Sequence, residues 1–186
     1  MRIVAGTLRG RTIAGPGSDG TRPTSDRVRG AIFNILAHGI PGFALEGARV
    51  LDLFAGTGAM GLEALSRGAA CSVFVDKAAD ANAVIKANIK ALGVDASAEG
   101  KRSDATRLGV WSGAGFGLVF ADPPYGKGLA EQALASAAAG NWLSPDAVLV
   151  VEEAVRAQLR WLPGFDVLDV RRWGDTQAIF ARYRRP

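Results

Sequence analysis

The chain's 186 residues, nearly half of them apolar and 22% charged, suffice for one well-buried core and are few for two. No apolar run approaches the roughly 20 residues needed to span a bilayer, and the first residues lack the apolar core of a signal peptide, so a cytoplasmic protein is expected. The net charge of +4 lies wholly in residues 1–29, where Arg2, Arg9, Arg11, Arg22, Arg27 and Arg29 face only Asp19 and Asp26; arginine suits bidentate phosphate contact and base stacking, which leaves an anionic partner such as nucleic acid and a plain solvated basic surface as the two readings.

In chain order, Arg2–Ala5 and Arg11–Ala14 alternate around a Gly6–Gly10 turn and predict a β-hairpin. Residues 15–20 have loop composition. Thr24 or Ser25 then caps a helix that has Asp26 in its first turn and Val28, Ile32, Ile35 and Leu36 as its apolar stripe. His38, the one histidine, falls at the helix end and reads as a C-terminal cap. From there strands and helices alternate: strand 49–54, helix 58–67, strand 71–75, helix 78–92, a weak strand within 95–102, strand 116–121, helix 129–139 and strand 147–152. A closing strand pair follows at 166–171 and 177–183. Such alternation predicts an α/β fold, a mostly parallel sheet with helices on both faces. The expected plan is an N-terminal basic extension over 1–40 and an α/β domain over 41–186. The single cysteine, Cys71, excludes an internal disulfide and a cysteine zinc cage and reads as a buried structural thiol. No metal-ligand cluster is found. Trp111, Trp142, Trp161 and Trp173 read as core or rim residues.

Two motifs carry chemistry. The first strand runs into Asp52-Leu53-Phe54-Ala55-Gly56-Thr57-Gly58-Ala59-Met60-Gly61, where Gly56, Gly58 and Gly61 form a G-x-G-x-x-G opening a helix. The glycines permit a tight turn and let a ligand approach the backbone. Asp76 follows at the end of the second strand, where an acid accepts hydrogen bonds from ribose hydroxyls. Taken alone, this set fits NAD as well as S-adenosylmethionine. Asp52 favours the latter, because a carboxylate attracts an amino group and opposes a pyrophosphate. Asp104, after the weak third strand, is a candidate for the adenine amine, with a helix N-cap as its alternative role.

The second motif is Asp122-Pro123-Pro124-Tyr125, directly after the strand Phe116–Ala121. Two prolines fix φ twice and remove two donors. What remains is a stiff bracket of acceptors beside a flat ring, suited to a planar group bearing N–H₂. Glu152-Glu153 ends a later strand and reads as a structural or solvated pair rather than a second catalytic acid.

The loop resembles the S-adenosylmethionine motif of class I methyltransferases, and the bracket resembles the catalytic (D/N/S)-P-P-(Y/F/W) motif of their amino-methylating branch. Arg2-Ile-Val-Ala-Gly, Arg9-Gly-Arg11, Arg22-Pro-Thr-Ser-Asp-Arg-Val-Arg29 and Phe33-Asn34 resemble the RsmD-type family of bacterial 16S rRNA guanine-N2 methyltransferases, in order and over nearly the whole chain. The resemblance implies a Rossmann-like sheet with an antiparallel last strand, S-adenosylmethionine held by Asp52, Ala55, Gly56, Thr57, Gly58, Asp76 and Asp104, catalysis by Asp122, Pro123, Pro124 and Tyr125, and RNA of the small ribosomal subunit bound by Arg2, Arg9, Arg11, Arg22, Arg27 and Arg29. Two departures stand out. Asp76-Lys77-Ala78 has one acid where relatives often have two, the first a glutamate. Gly30 stands where relatives commonly have glutamate. A monomer is expected. The bracket itself leaves guanine N2 and adenine N6 open, and a noncatalytic RNA-binding protein and an NAD-linked oxidoreductase remain the readings from other classes.

Overall fold

The computed structural model describes residues 1–15 and 25–184. The helices are α1 (Asp26–His38), α2 (Ala59–Ser66), α3 (Ala79–Leu92) and α4 (Leu129–Ala139). The strands are β1 (Arg49–Leu53), β2 (Cys71–Asp76), β3 (Ala98–Arg102), β4 (Phe116–Ala121), β5 (Leu143–Ala154), β6 (Phe165–Trp173) and β7 (Thr176–Tyr183). They form one seven-stranded sheet in the order β3-β2-β1-β4-β5-β7-β6. β1 to β5 pair in parallel, and β7 runs antiparallel between β5 and β6. The central strands are buried on both faces, which is why they read as unbroken apolar runs rather than as alternating ones.

The sheet separates two cores. One contains Val50, Leu118, Phe120, Val148, Val150 and Phe180 packed against Ile32, Phe33 and Leu36 of α1, Leu62 of α2 and Ile85 and Ile89 of α3. The other contains Leu51, Val119, Leu149 and Val151 against Ala130, Ala133 and Leu134 of α4. Ile3 and Ile13 lie in the first core, so the N-terminal segment shares its core with the sheet.

That segment differs from the expected hairpin. One bridge, Arg2 with Thr12, joins its two arms, through Ile3 N–H to the Arg11 carbonyl and Ile13 N–H to the Met1 carbonyl, with Gly10 N–H on the Ile3 carbonyl beside it. Several of the other N–H groups find side chains elsewhere. Val4 and Ala5 donate to the Glu63 carboxylate at 2.8 and 3.0 Å, and Ala14 donates to Asn88 Oδ1 at 2.7 Å. Buried backbone donors need partners, and here α2 and α3 supply them in place of a ladder. Ser25 caps α1 by accepting from the Val28 N–H; Thr24, the other expected cap, lies outside the described residues. At the far end the Gly39 N–H bonds to the Ile35 carbonyl and His38 is exposed, so the backbone and not the imidazole closes that helix. Cys71 is half-buried at the start of β2, short of the full burial expected.

Candidate active site

The order β2-β1-β4 means that the chain, having run outward from β1 to β2 and β3, returns to the other side of β1. This reversal opens a crevice at the C-terminal ends of β1 and β4, where parallel sheets bind ligands. The glycine loop leaves one side of the crevice and the proline bracket leaves the other. The Asp122 N–H reaches the Leu53 carbonyl at 3.4 Å, which joins the two motifs at their roots.

On the loop side, Phe54 has φ of 58°, a left-handed value uncommon outside glycine. It turns the chain sharply out of β1. Gly56 and Gly58 follow with φ of 55° and 78°, so two of the three glycines are required by backbone shape. Gly61 is required by space: a Cβ there would lie 2.4 Å from the Phe74 ring and from Ser72 Oγ, so α2 could not sit this close to β2. Above Gly56, by contrast, a Cβ would meet only the Phe54 oxygen, at 4.0 Å; that side of the loop is open to a ligand.

Asp52 is buried on β1, and its Oδ2 accepts from the Gly61 N–H at 2.9 Å. Burial, and to a lesser degree the Asp122 and Asp76 carboxylates, push its carboxyl up to about 8, against the pull of the Gly61 hydrogen bond. A buried acid in that state would be relieved by a cation. Asp76 ends β2 with Oδ2 on the Gly56 N–H at 3.0 Å and Oδ1 on the Ala78 N–H at 2.9 Å, so it braces the loop from the strand end at which a ribose-binding acid is expected. Ala55 and Thr57 complete the turn, and the Thr57 carbonyl is held by Asn88 Nδ2 at 2.9 Å. Asp104 caps a short 3-10 turn, its Oδ1 accepting from the Thr106 N–H and hydroxyl at 2.9 and 2.7 Å, which is the alternative role weighed for it above. The donor set fits S-adenosylmethionine: an acid for an ammonium group, an open glycine turn, and an acid at the next strand end.

On the bracket side, Pro123 is buried while Pro124 and Tyr125 are exposed. The Asp122 carboxyl is held well above the usual carboxylate range, first by burial and then by Glu152 and Glu153. Tyr125 is 41% exposed. Its hydroxyl is pushed up to about 12, mainly by partial burial and then by Asp122, against the pull of the nearby Thr176 side chain. Glu152 and Glu153 are both buried, so they are not a solvated pair. Glu153 Oε1 accepts from the N–H groups of Gly126 and Ala154 at 3.1 and 2.9 Å, which braces the residue following Tyr125. Two acidic strand-end residues gave only a weak signal in sequence, since the Gly126 partner of Glu153 lies on another loop.

The arginines divide by environment. The side chains of Arg9 and Arg27 are exposed and carry no hydrogen bond or ion pair among the described residues. Arg2 is exposed and pairs with Asp26 at 3.1 Å. Arg11 is exposed but already donates to the Ala91 carbonyl at 2.6 Å. Arg22 lies outside the described residues. Arg29 departs from the expected RNA-binding role: it is fully buried, pairing with Asp26 at 2.8 Å and with buried Glu63 at 3.5 Å. Among the described residues no group of acidic, histidine or cysteine side chains is arranged to hold a metal, and no helix is long and apolar enough to cross a membrane.

A parallel sheet in this order, closed by an antiparallel hairpin and carrying a glycine loop after β1 and an acidic proline bracket after β4, defines a class I methyltransferase fold. The family model described as conserved hypothetical protein 95 matches residues 1–182. The ribosomal RNA small subunit methyltransferase D of Escherichia coli K12 is 36% identical over 163 residues, 88% of this chain and 79% of that one. Its namesake in Haemophilus influenzae is 36% identical over 156 residues, 82% of this chain and 78% of that one. The structure of the Escherichia coli protein yhhF matches with a TM-score of 0.85 at 31% identity, covering 100% of this chain and 99% of that one. This chain belongs to the conserved hypothetical protein 95 family, the RsmD-type family. The fold alone does not choose the chemistry: the [4+2]-cyclase SpnF, 15% identical, shares it with a TM-score of 0.67, over 94% of this chain and 87% of that one.

Proposed function

We propose that this protein is a cytoplasmic, S-adenosylmethionine-dependent ribosomal RNA methyltransferase, and that it methylates the exocyclic N2 amine of a guanine in the small-subunit 16S RNA. The names of its relatives, ribosomal RNA small subunit methyltransferases, support the RNA class. The observation that carries the amine chemistry is the bracket itself: a half-buried acceptor, Asp122, followed by two prolines at the mouth of the same crevice as the glycine loop.

When bound, S-adenosylmethionine supplies an electrophilic methyl group. Asp52 would hold its ammonium group, Ala55, Gly56, Thr57 and Gly58 would line it, Asp76 would take the ribose hydroxyls, and Asp104 is assigned the adenine amine through its second oxygen. The exocyclic amine of guanine is a poor nucleophile, since its lone pair is shared with the ring. Hydrogen bonds from the amine to Asp122 and to the Pro123 carbonyl favour a pyramidal nitrogen with its lone pair directed along the line of attack. Orientation of this kind supplies much of the acceleration. As the N–C bond forms, positive charge grows on the nitrogen, and Asp122 stabilises it. The proton then shed by the nitrogen passes to Asp122 or to water. Tyr125, exposed beside the acid, stacks on the extruded base, worth roughly 1–3 kcal/mol by the measure of other base–aromatic stacks. Arg2, Arg9, Arg11, Arg22 and Arg27 hold RNA phosphates, and the protein acts as a monomer.

Two measurements test this. Mapping of methylated nucleotides in ribosomal RNA from cells with and without the protein should show one N2-methylguanine of the small-subunit RNA lost; a methyl lost from an adenine amine instead would reassign the substrate. Asp122→Ala should bind S-adenosylmethionine as the parent does and lose at least about 10²-fold in methyl transfer, the scale of removing one electrostatic stabiliser.

A further inference from the structure

Guanine and adenine both offer an amine, and they differ in what lies beside it. Next to the guanine amine is N1–H, a donor. Next to the adenine amine is an unprotonated N1, an acceptor. Asp122 meets the amine alone and so does not separate them. An acceptor one place further along the base edge does: it bonds N1–H of guanine and repels the N1 lone pair of adenine.

The sheet places such an acceptor. In the parallel pairing of β4 with β5, Ala121 lies opposite Val151, so Asp122 and Glu152 are the next residues of the two chains at the ligand-binding edge. Their faces also agree. Leu118 and Phe120 on β4, and Val148 and Val150 on β5, point into the core beneath α1 and α2. By the two-residue alternation of strands, Asp122 and Glu152 point the same way, as does Asp52, two residues beyond Val50. Neighbouring strands stand about 4.8 Å apart, a separation that lets two carboxylates take adjacent donors of one base. Glu152 is 4% exposed, and of the charges acting on Asp122 it is the foremost. Glu153 is different: its alternation puts it on the opposite face, where it holds the Gly126 and Ala154 N–H groups.

We propose that Glu152 accepts the N1–H of the target guanine while Asp122 accepts from the adjoining amine, which makes Glu152 the residue that selects guanine over adenine. The inference rests on the guanine reading above. Its energetic basis is asymmetric: a buried acceptor with its donor in place contributes modestly, but the same acceptor facing a lone pair is penalised heavily. Guanine also brings two donors to two neighbouring carboxylates, lowering the repulsion between them as the amine nitrogen becomes positive.

The probe is 2-aminopurine, which keeps the N2 amine and has a bare N1. Small ribosomal subunits are assembled with 16S RNA carrying guanosine or 2-aminopurine riboside at the mapped position, and kcat/KM is measured for the parent and for Glu152→Gln. The two amines differ in intrinsic reactivity, so the decisive number is the guanine to 2-aminopurine ratio of the parent divided by that of the variant. It should be on the order of 10², arising from loss on guanine and gain on 2-aminopurine, whose N1 accepts from the glutamine amide. Unchanged affinity for S-adenosylhomocysteine reports that the variant is folded. If the amide variant does not fold, Glu152→Asp, which withdraws the acceptor by one methylene, should lower guanine turnover about tenfold or more and leave 2-aminopurine turnover within about twofold. Equal ratios in parent and variant, or parallel losses on both bases, overturn the assignment of Glu152 and leave the guanine reading standing. Failure of the parent to methylate the guanine amine at all overturns both.

Discussion

At the scale of single residues, the site is built from acids held in places that disfavour their charge. Asp52 is the clearest case. Its carboxyl is raised from the ordinary 3.8 to about 8, chiefly by burial. The folded protein therefore binds a proton that the unfolded chain releases between those two values. Where the folded state holds more protons, stability falls as pH rises. The ligand-free protein should thus be most stable below about pH 4 as far as this group is concerned, and should lose stability steadily up to about pH 8. Asp122, also raised, adds to the same slope. Asp52→Asn keeps an oxygen for the Gly61 N–H and has no proton to lose. Urea unfolding at pH 5.5, 6.5, 7.5 and 8.5 should show a clear downward slope for the parent and a shallower one for the variant. Superimposable slopes would mean that Asp52 is not the titrating group. The motif was legible at this scale because β1, the glycines and the acid are contiguous. Arg29 was not: nothing local distinguishes it from Arg27, and its partner Glu63 reads as one polar residue in an apolar helix.

At the scale of elements, the N-terminal segment is seated by side chains from far along the chain. Glu63, fully buried, takes the Val4 and Ala5 N–H groups, lies 3.5 Å from Arg29 and bonds Arg67 at 2.7 Å. Ser66 Oγ donates to the Ala5 carbonyl at 2.6 Å and accepts from the Leu8 N–H at 3.0 Å. The contacts of Ala5 with Glu63 and Ser66 span 58 to 61 residues of sequence, so the alternating pattern of residues 2–14 predicted a longer hairpin ladder, whereas the Val4, Ala5 and Leu8 donors go to side chains of α2. The parallel strands, by comparison, were readable because burial on both faces leaves a continuous apolar run. Gly6 is where the segment comes closest to α2: its φ is 84°, and a Cβ there would lie 1.8 Å from the Ser66 carbonyl oxygen. Strain in the backbone and collision with a backbone atom act together, so Gly6→Ala should cost about 3 kcal/mol or more of seating energy. Because the cofactor loop lies elsewhere, S-adenosylhomocysteine affinity should change less than about twofold while RNA affinity falls about tenfold. Equal losses for both ligands would show that the segment and the loop do not act separately.

At the scale of the whole molecule, charge is placed by sequence position and then sorted by burial. The whole net charge of +4 sits in residues 1–29, and of that segment the described residues 1–15 and 25–29 pack through Ile3, Ile13 and Val28 into the core on the side of the sheet that carries Asp52 and Asp122. The arginines there are not equivalent. Arg9 and Arg27 are exposed, with no side-chain partner among the described residues, and can neutralise phosphate and release counterions. Arg29, itself buried, pairs with buried Glu63 and with partly exposed Asp26. Each phosphate contact contributes close to one unit to the dependence of log affinity on log salt. Arg9→Ala with Arg27→Ala should therefore lower the salt slope for RNA by about two and leave thermal stability within about 0.5 kcal/mol, as exposed substitutions do. Arg29→Ala should do the reverse. It removes a buried cation beside Glu63 and leaves Arg67 as that carboxylate's remaining partner at 2.7 Å, a loss of about 1–3 kcal/mol in stability, and at a temperature where the variant remains folded its salt slope should match the parent's. Fluorescence anisotropy of a small-subunit RNA fragment across a salt series, alongside urea unfolding of the same proteins, reads both quantities. A reduced slope for Arg29→Ala would place that arginine at the RNA surface, contrary to its burial, and an unchanged slope for the double variant would move the RNA path off the N-terminal segment.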